Sequence, residues 1–212
     1  MTEYLTEDEQ VEILKKWIKE YSAVFLIGIA VALIVVSGWN YWQARQEKIQ
    51  RHASMIYDEM LAARSQNRSE EAYIHANKLF SHYSHTVYAQ MAALEEAKEK
   101  VLQKNYTAAA EKFNWVLAHS KIAAFKQIAR IRLARILITD NKLKESLSVI
   151  NKIDDNHFQG LISEVTGDVY YAMHDLSKAR EAYRQALKIL PNAQAVRPLL
   201  QMKYDNLLTA KR

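Results

Sequence analysis

Cysteine is absent from this chain, which excludes disulfides, thiol nucleophiles and thiolate-bound metal. Glycine occurs only four times in 212 residues, at 28, 38, 160 and 167, and proline only twice. That scarcity rules out a glycine-rich phosphate loop and leaves few places for tight turns, so hairpin-rich β folds are disfavoured. No alternating run of Val, Ile or Thr bounded by turn residues reads as a strand. Charge, too, is missing where it matters most: residues 21–44 contain no Lys, Arg, Asp or Glu.

What fills that uncharged stretch is apolar, with AVFLIGIAVALIVVS at its centre. As a helix, 20 to 24 residues reach about 30–36 Å, enough to cross a hydrocarbon core. A buried helix of a soluble domain would carry a polar stripe, and none is present. Trp17 and Tyr21 stand before the stretch, and Trp39, Tyr41 and Trp42 after it, where an interfacial aromatic belt would lie. Gly28 and Gly38 within it are ten apart and share no helix face of the GxxxG kind. A cleaved signal peptide fits poorly, because six acidic residues precede the run and bulky GWNYWQAR follows it. The expected layout is a tail at 1–20, an uncleaved transmembrane anchor at 21–44, and a domain at 45–212. Thr6 and Glu9 have the spacing of a capping box, so the tail also reads as the first turns of a helix. Basic residues are balanced at the two ends of the span, and charge does not set the orientation. A short tail inside and a large domain outside is the economical arrangement.

From Arg45 onward there are 26 basic and 18 acidic residues. The excess suits an anionic surface or acidic partners, although mixed charge on solvated helices accounts for it as well. No tight basic cluster interleaved with aromatics points to nucleic acid. The domain divides into helical segments with short polar joints, and the expectation is all-α. Helix pairs are expected near 47–65/69–82, 86–103/106–119, 121–139/143–153 and 157–173/176–190. A capping helix follows near 195–209, with the pattern continuing unbroken from the anchor as a stalk.

The spacing of the joints is that of a repeat. Gly167, Tyr170, Ala179, Tyr183, Ala186 and Pro191 fall at offsets 0, 3, 12, 16, 19 and 24, the tetratricopeptide spacing. Small Gly167 and Ala179 let two helices approach, Tyr183 fills the gap beside them, and Pro191 ends the second helix. Weaker units start at Ala134, with Ser146 where alanine is usual, and at Ala97. For 45–83, where Ala76 and Phe80 are spaced by four, no register can be set. The expected architecture is an α-solenoid of about four degenerate pairs, with the last helix covering the open face.

The anchor, these repeats and the stretches FNWVLAHSK, ARIRLARIL, GDVYYAMHDLSKAREAYRQAL and PLLQMKYDNL together resemble the YfgM family. The resemblance implies a bacterial inner-membrane protein with a cytoplasmic N-terminus and a periplasmic repeat domain. It further implies an ancillary part in the Sec translocon beside the membrane-anchored chaperone PpiD, linking emerging secretory chains to periplasmic chaperones. Ser146 departs from the repeat pattern and is expected to loosen its helix pair.

Seven histidines invite a metal reading, but His75, His82 and His85 lack HExxH spacing or a carboxylate ligand in register. No catalytic constellation stands out, so neither enzyme chemistry nor a cofactor is expected. The candidate site is a peptide groove lined by first helices of successive pairs. The tetratricopeptide register puts Leu94, Lys98, Ile131, Arg135, Glu164, Asp168 and Tyr171 on it. The alternative is a lipid-associated helical scaffold without a link to secretion.

Overall fold

Four turns, each with the same backbone geometry, set the architecture. They occur in the computed structural model, which describes residues 7–152, 156–190 and 197–209. Asn67, Lys104, Asn141 and His174 take positive φ of 57°, 58°, 57° and 63°. After each, the next amide reaches back to a carbonyl of the preceding helix. Arg68 donates to Ala63, Asn105 to Lys100, Lys142 to Leu137 and Asp175 to Tyr170, at 2.9, 2.8, 2.7 and 2.9 Å. This left-handed cap satisfies carbonyls that a helix end leaves bare, and it turns the chain in a fixed direction. Asn105 and Asp175 then cap the following helix, accepting from the Ala108 and Lys178 amides.

The helices between the turns are α1 (Glu7–Ser65), α2 (Ser69–His82), α3 (Val87–Leu102), α4 (Tyr106–His119) and α5 (Ala123–Thr139). They continue as α6 (Leu143–Ile150), α7 (Gln159–Ala172), α8 (Leu176–Ile189) and α9 (Arg197–Thr209), with a short 3-10 turn at Asn156–Phe158. No strand occurs among the described residues, and the all-α solenoid expectation holds. Thr6 and Pro191, and the last residue of the helix expected at 143–153, lie outside the described residues.

The chain separates into two compact units, Met1–Arg51 and His52–Arg212. Within the first, α1 is the one helix among the described residues long and apolar enough to cross a membrane. Over residues 11–42 its described large apolar side chains are exposed, among them Trp17, Tyr21, Trp39, Tyr41 and Trp42. Trp17 packs tilted against Tyr21, and Trp39 against Trp42, both with ring centroids 5.5 Å apart. The unit boundary falls beyond residue 44, where the sequence reading put the end of the anchor. Ala53 is the first fully buried residue, and the preceding helical turns touch solvent.

In the second unit the turns give the repeat register. Seven residues before each positive-φ position lie Met60, Ala97, Ala134 and Gly167. Nine residues after it lie Ala76, Phe113, Ile150 and Tyr183. All eight are buried. Met60 and Ala76 share one core cluster, Ala97 and Phe113 the next, and Ala134 and Ile150 the third. In the last repeat a Cβ on Gly167 would fall 2.4 Å from two Tyr183 ring carbons, so only glycine admits that ring. Each repeat therefore sets one small and one large buried side chain at these two register positions, in keeping with dense packing. In the first repeat the order is reversed, with Met60 large and Ala76 small, which is why the forward pattern finds no register at 45–83.

Ser146, expected to loosen its pair, is fully buried and donates to the Ala134 carbonyl at 2.8 Å. The hydroxyl is satisfied and ties α6 to α5. Ser120 is likewise buried, donating to Gln90 Oε1 at 2.9 Å, while the Ile122 amide donates to its Oγ. The joint between α4 and α5 is thus an internal hydrogen-bonded corner.

Candidate functional site

The seven groove candidates separate by burial. Leu94 and Ile131 are 9% and 4% exposed and belong to core clusters, so they offer nothing to a ligand. Leu94 packs in the cluster that α3 shares with α4 and α5, and Ile131 in the one that α5 shares with α6 and α7. Lys98, Arg135 and Tyr171 are exposed. Glu164 is buried and Asp168 half-buried.

Glu164, Asp168 and Arg135 are brought together in a network centred on Lys203, which lies outside the repeat register. Lys203 of α9 donates to Glu164 Oε1 at 3.0 Å and to both Asp168 oxygens at 2.8 and 2.9 Å. Arg135 of α5 donates to the other Glu164 oxygen at 3.0 Å. The Tyr183 hydroxyl donates to Asp168 at 2.7 Å. Two carboxylates, two cations and a phenol so link α5, α7, α8 and α9, with Glu164 bonded at both oxygens as a buried charge demands. Burial alone would lower the Lys203 pKa, but hydrogen bonds to Asp168 and Glu164 outweigh it and hold the ammonium above its ordinary range. Burial pushes the Tyr183 phenol up, and the Asp168 carboxylate beside it pushes the same way. The signal for Lys203 was in the sequence: Leu200, Lys203 and Leu207 share one face of α9, and both leucines are buried.

A second buried acid repeats part of the plan. Glu96 on α3 accepts from Arg64 on α1, as Glu164 on α7 accepts from Arg135 on α5. In both cases the first helix of one pair is bonded to the first helix of another.

Lys98 and Arg135 also line one cleft of about 420 Å³ between α3, α4 and α5, together with Arg132. Its apolar lining comes from Val101, Leu102, Tyr106, Phe113 and Ile136. Tyr171 stands outside it. His75 Nδ1 lies 3.2 Å from Glu59 and its Nε2 3.9 Å from Glu71. No group of three or more potential metal ligands gathers among the described residues.

A family described as "Tetratricopeptide repeat-like domain" matches residues 15–209. The chain is similar to a protein of Haemophilus influenzae named ancillary SecYEG translocon subunit, 26% identical over 96% of this chain and 98% of the relative. A protein of the same name from Escherichia coli is 25% identical over 96% and 98%. A third, from Neisseria gonorrhoeae, is 27% identical over 98% of this chain and 100% of the relative. With its turns, its core pairs and its matched length in agreement, the chain belongs to the tetratricopeptide repeat-like family and is, as its motifs imply, a YfgM-family protein.

Proposed function

We propose that this chain is a membrane-tethered interaction module of the SecYEG translocon, whose repeat unit recruits chaperones to emerging secretory chains. The observation that carries the reading is end-to-end similarity to the ancillary SecYEG translocon subunits, spanning both the apolar helix and the repeats. A solenoid of helix pairs presents side chains from successive repeats along one surface, which suits peptide capture. The membrane helix supplies local concentration, and such linkage strengthens association by ~10²–10⁴ without new contacts. In this reading residues 1–20 face the cytoplasm, 21–44 span the inner membrane, and 45–212 lie in the periplasm beside PpiD.

Co-purification of SecYEG and PpiD with the full chain in mild detergent tests the partners. Exchanging 21–44 for an unrelated membrane helix is expected to weaken SecYEG recovery while leaving the repeat unit folded. Failure of the unaltered chain to recover SecYEG overturns the reading. Topology is read with single cysteines, which the chain's lack of native cysteine makes clean. Lys121→Cys, at an exposed position, should react with an impermeant reagent from the periplasmic side, and Thr6→Cys should not.

A further inference from the structure

The chemistry of a partner segment is legible in the cleft between α3, α4 and α5, provided the interaction reading above is right. On α5, Arg132, Arg135, Ile136 and Thr139 follow at helical spacing along one face, and on α3 so do Lys98, Val101 and Leu102. The two faces converge on one opening. Val101, Tyr106, Phe113 and Ile136 make an apolar floor, and Leu102 forms a lip at 70% exposure. A large aliphatic side chain left that open beside an unfilled apolar floor is an incomplete packing arrangement.

The rim is cationic only: Lys98, Arg132 and Arg135 line the cleft and no acidic residue does. Two of the three already have a partner. Lys98 lies 3.4 Å from Glu95, and Arg135 is bonded to Glu164. Among the described residues Arg132 has no acidic partner, and it is exposed. A guanidinium matches a carboxylate in plane and bidentately, and it does so better where an apolar floor excludes water.

We propose that this cleft docks a short acidic–apolar segment of a partner protein, one large apolar side chain entering the floor and flanking carboxylates meeting Arg132 and its neighbours. The volume lies within the range of small-ligand pockets, ~300–1,000 Å³, and leaves room for a large side chain with its flanking backbone. A fatty acid offers the same combination of anion and apolar tail. Three cations set on two helices suit carboxylates spread along a peptide better than the single carboxylate of a fatty acid.

The test uses the full chain in nanodiscs of zwitterionic lipid and a fluorescein-labelled decapeptide. The peptide carries one phenylalanine between two pairs of aspartates, the rest being glycine and serine. Saturable binding is expected, weakening as salt rises because the rim is at the surface. Arg132→Glu and Arg132→Gln should each reduce affinity by about tenfold or more, the scale of a lost charge-assisted hydrogen bond. Leu102→Asp and a peptide with alanine for phenylalanine should bind as weakly. Equal binding of aspartate and asparagine peptides overturns the proposal, as does wild-type affinity in the Arg132 variants with unchanged helicity. Tighter binding of dodecanoate, displacing the peptide, overturns it in favour of an amphiphile site. SecYEG co-purification of the same samples separates the two readings. No peptide binding by a wild-type chain that recovers SecYEG defeats the docking site alone. A wild-type chain that binds the peptide but not SecYEG defeats the translocon reading alone.

Discussion

The first and last repeats solve one packing problem in opposite ways. In the last, the first helix gives up its side chain at Gly167 and the second supplies the Tyr183 ring. In the first, Met60 fills the space from α1 and Ala76 yields on α2. The core asks for a total volume at that crossing and is indifferent to which helix delivers it. The turn preceding the second helix admits no such exchange. All four repeats keep the left-handed cap, because the backbone direction depends on it.

That comparison is broken most directly by exchanging the pair. Met60→Ala should destabilise the repeat unit by ~2–5 kcal/mol and Ala76→Met by ~1–3 kcal/mol. The double variant should recover ~1–3 kcal/mol of their sum, since residues that fill one space are coupled. Urea unfolding of the full chain, followed by Trp115, reads all three; additive costs would show that the two positions do not share a volume. Gly167→Ala in the last repeat should cost ~1–3 kcal/mol through overpacking, as the Tyr183 ring must move.

The ends of the unit also differ in how they are closed. The last repeat is covered by α9, and Lys203→Met should cost roughly 2 kcal/mol by removing charged hydrogen bonds from Glu164 and Asp168. Arg135 still serves Glu164, which keeps the loss below that of an orphaned buried charge. An unchanged urea midpoint would mean that the two leucines alone hold α9.

Both groups in this network with a resolved shift have folded pKa values raised, Lys203 and Tyr183. Their stabilisation is fully present below the unfolded values of about 10.4 and 10 and is lost as pH rises through the folded ones. Melting midpoints should therefore fall above about pH 10 from these groups, and the fall should be smaller in Lys203→Met. A slope from them between pH 5 and 8 would contradict the assignment.

The smallest effects test the turns. Lys104→Gly should stabilise by ~0.5–1 kcal/mol, since a Cβ strains the left-handed region, and His174→Gly should do less, because histidine enters that region more readily than most residues. Asn67→Gly and Asn141→Gly should change little, because asparagine adopts that region readily. Equal responses at all four would show that the cap geometry is not what these residues contribute.

The sequence by itself determined the helices, their joints to within a few residues, the apolar span and the strong last repeat. Those are local or periodic features: glycine scarcity, uncharged length, and Gly167 and Tyr183 at fixed spacing. It also put Lys98 and Arg135 at positions that are exposed in the fold, because their register follows from that spacing. Only the tertiary structure decided that Leu94 and Ile131 face inward, since a helix in a stack has two buried sides and periodicity cannot say which side meets a neighbour. Only it revealed the reversed pair at Met60 and Ala76, where volume is conserved across two helices and the pattern along either one is not. The face of α9 that carries Lys203 was legible in the sequence, but its meeting with Glu164 and Asp168 was not. Those partners lie 39 and 35 residues apart, and whether charges so distant in the chain meet depends on how α9 folds back over α7 and α8.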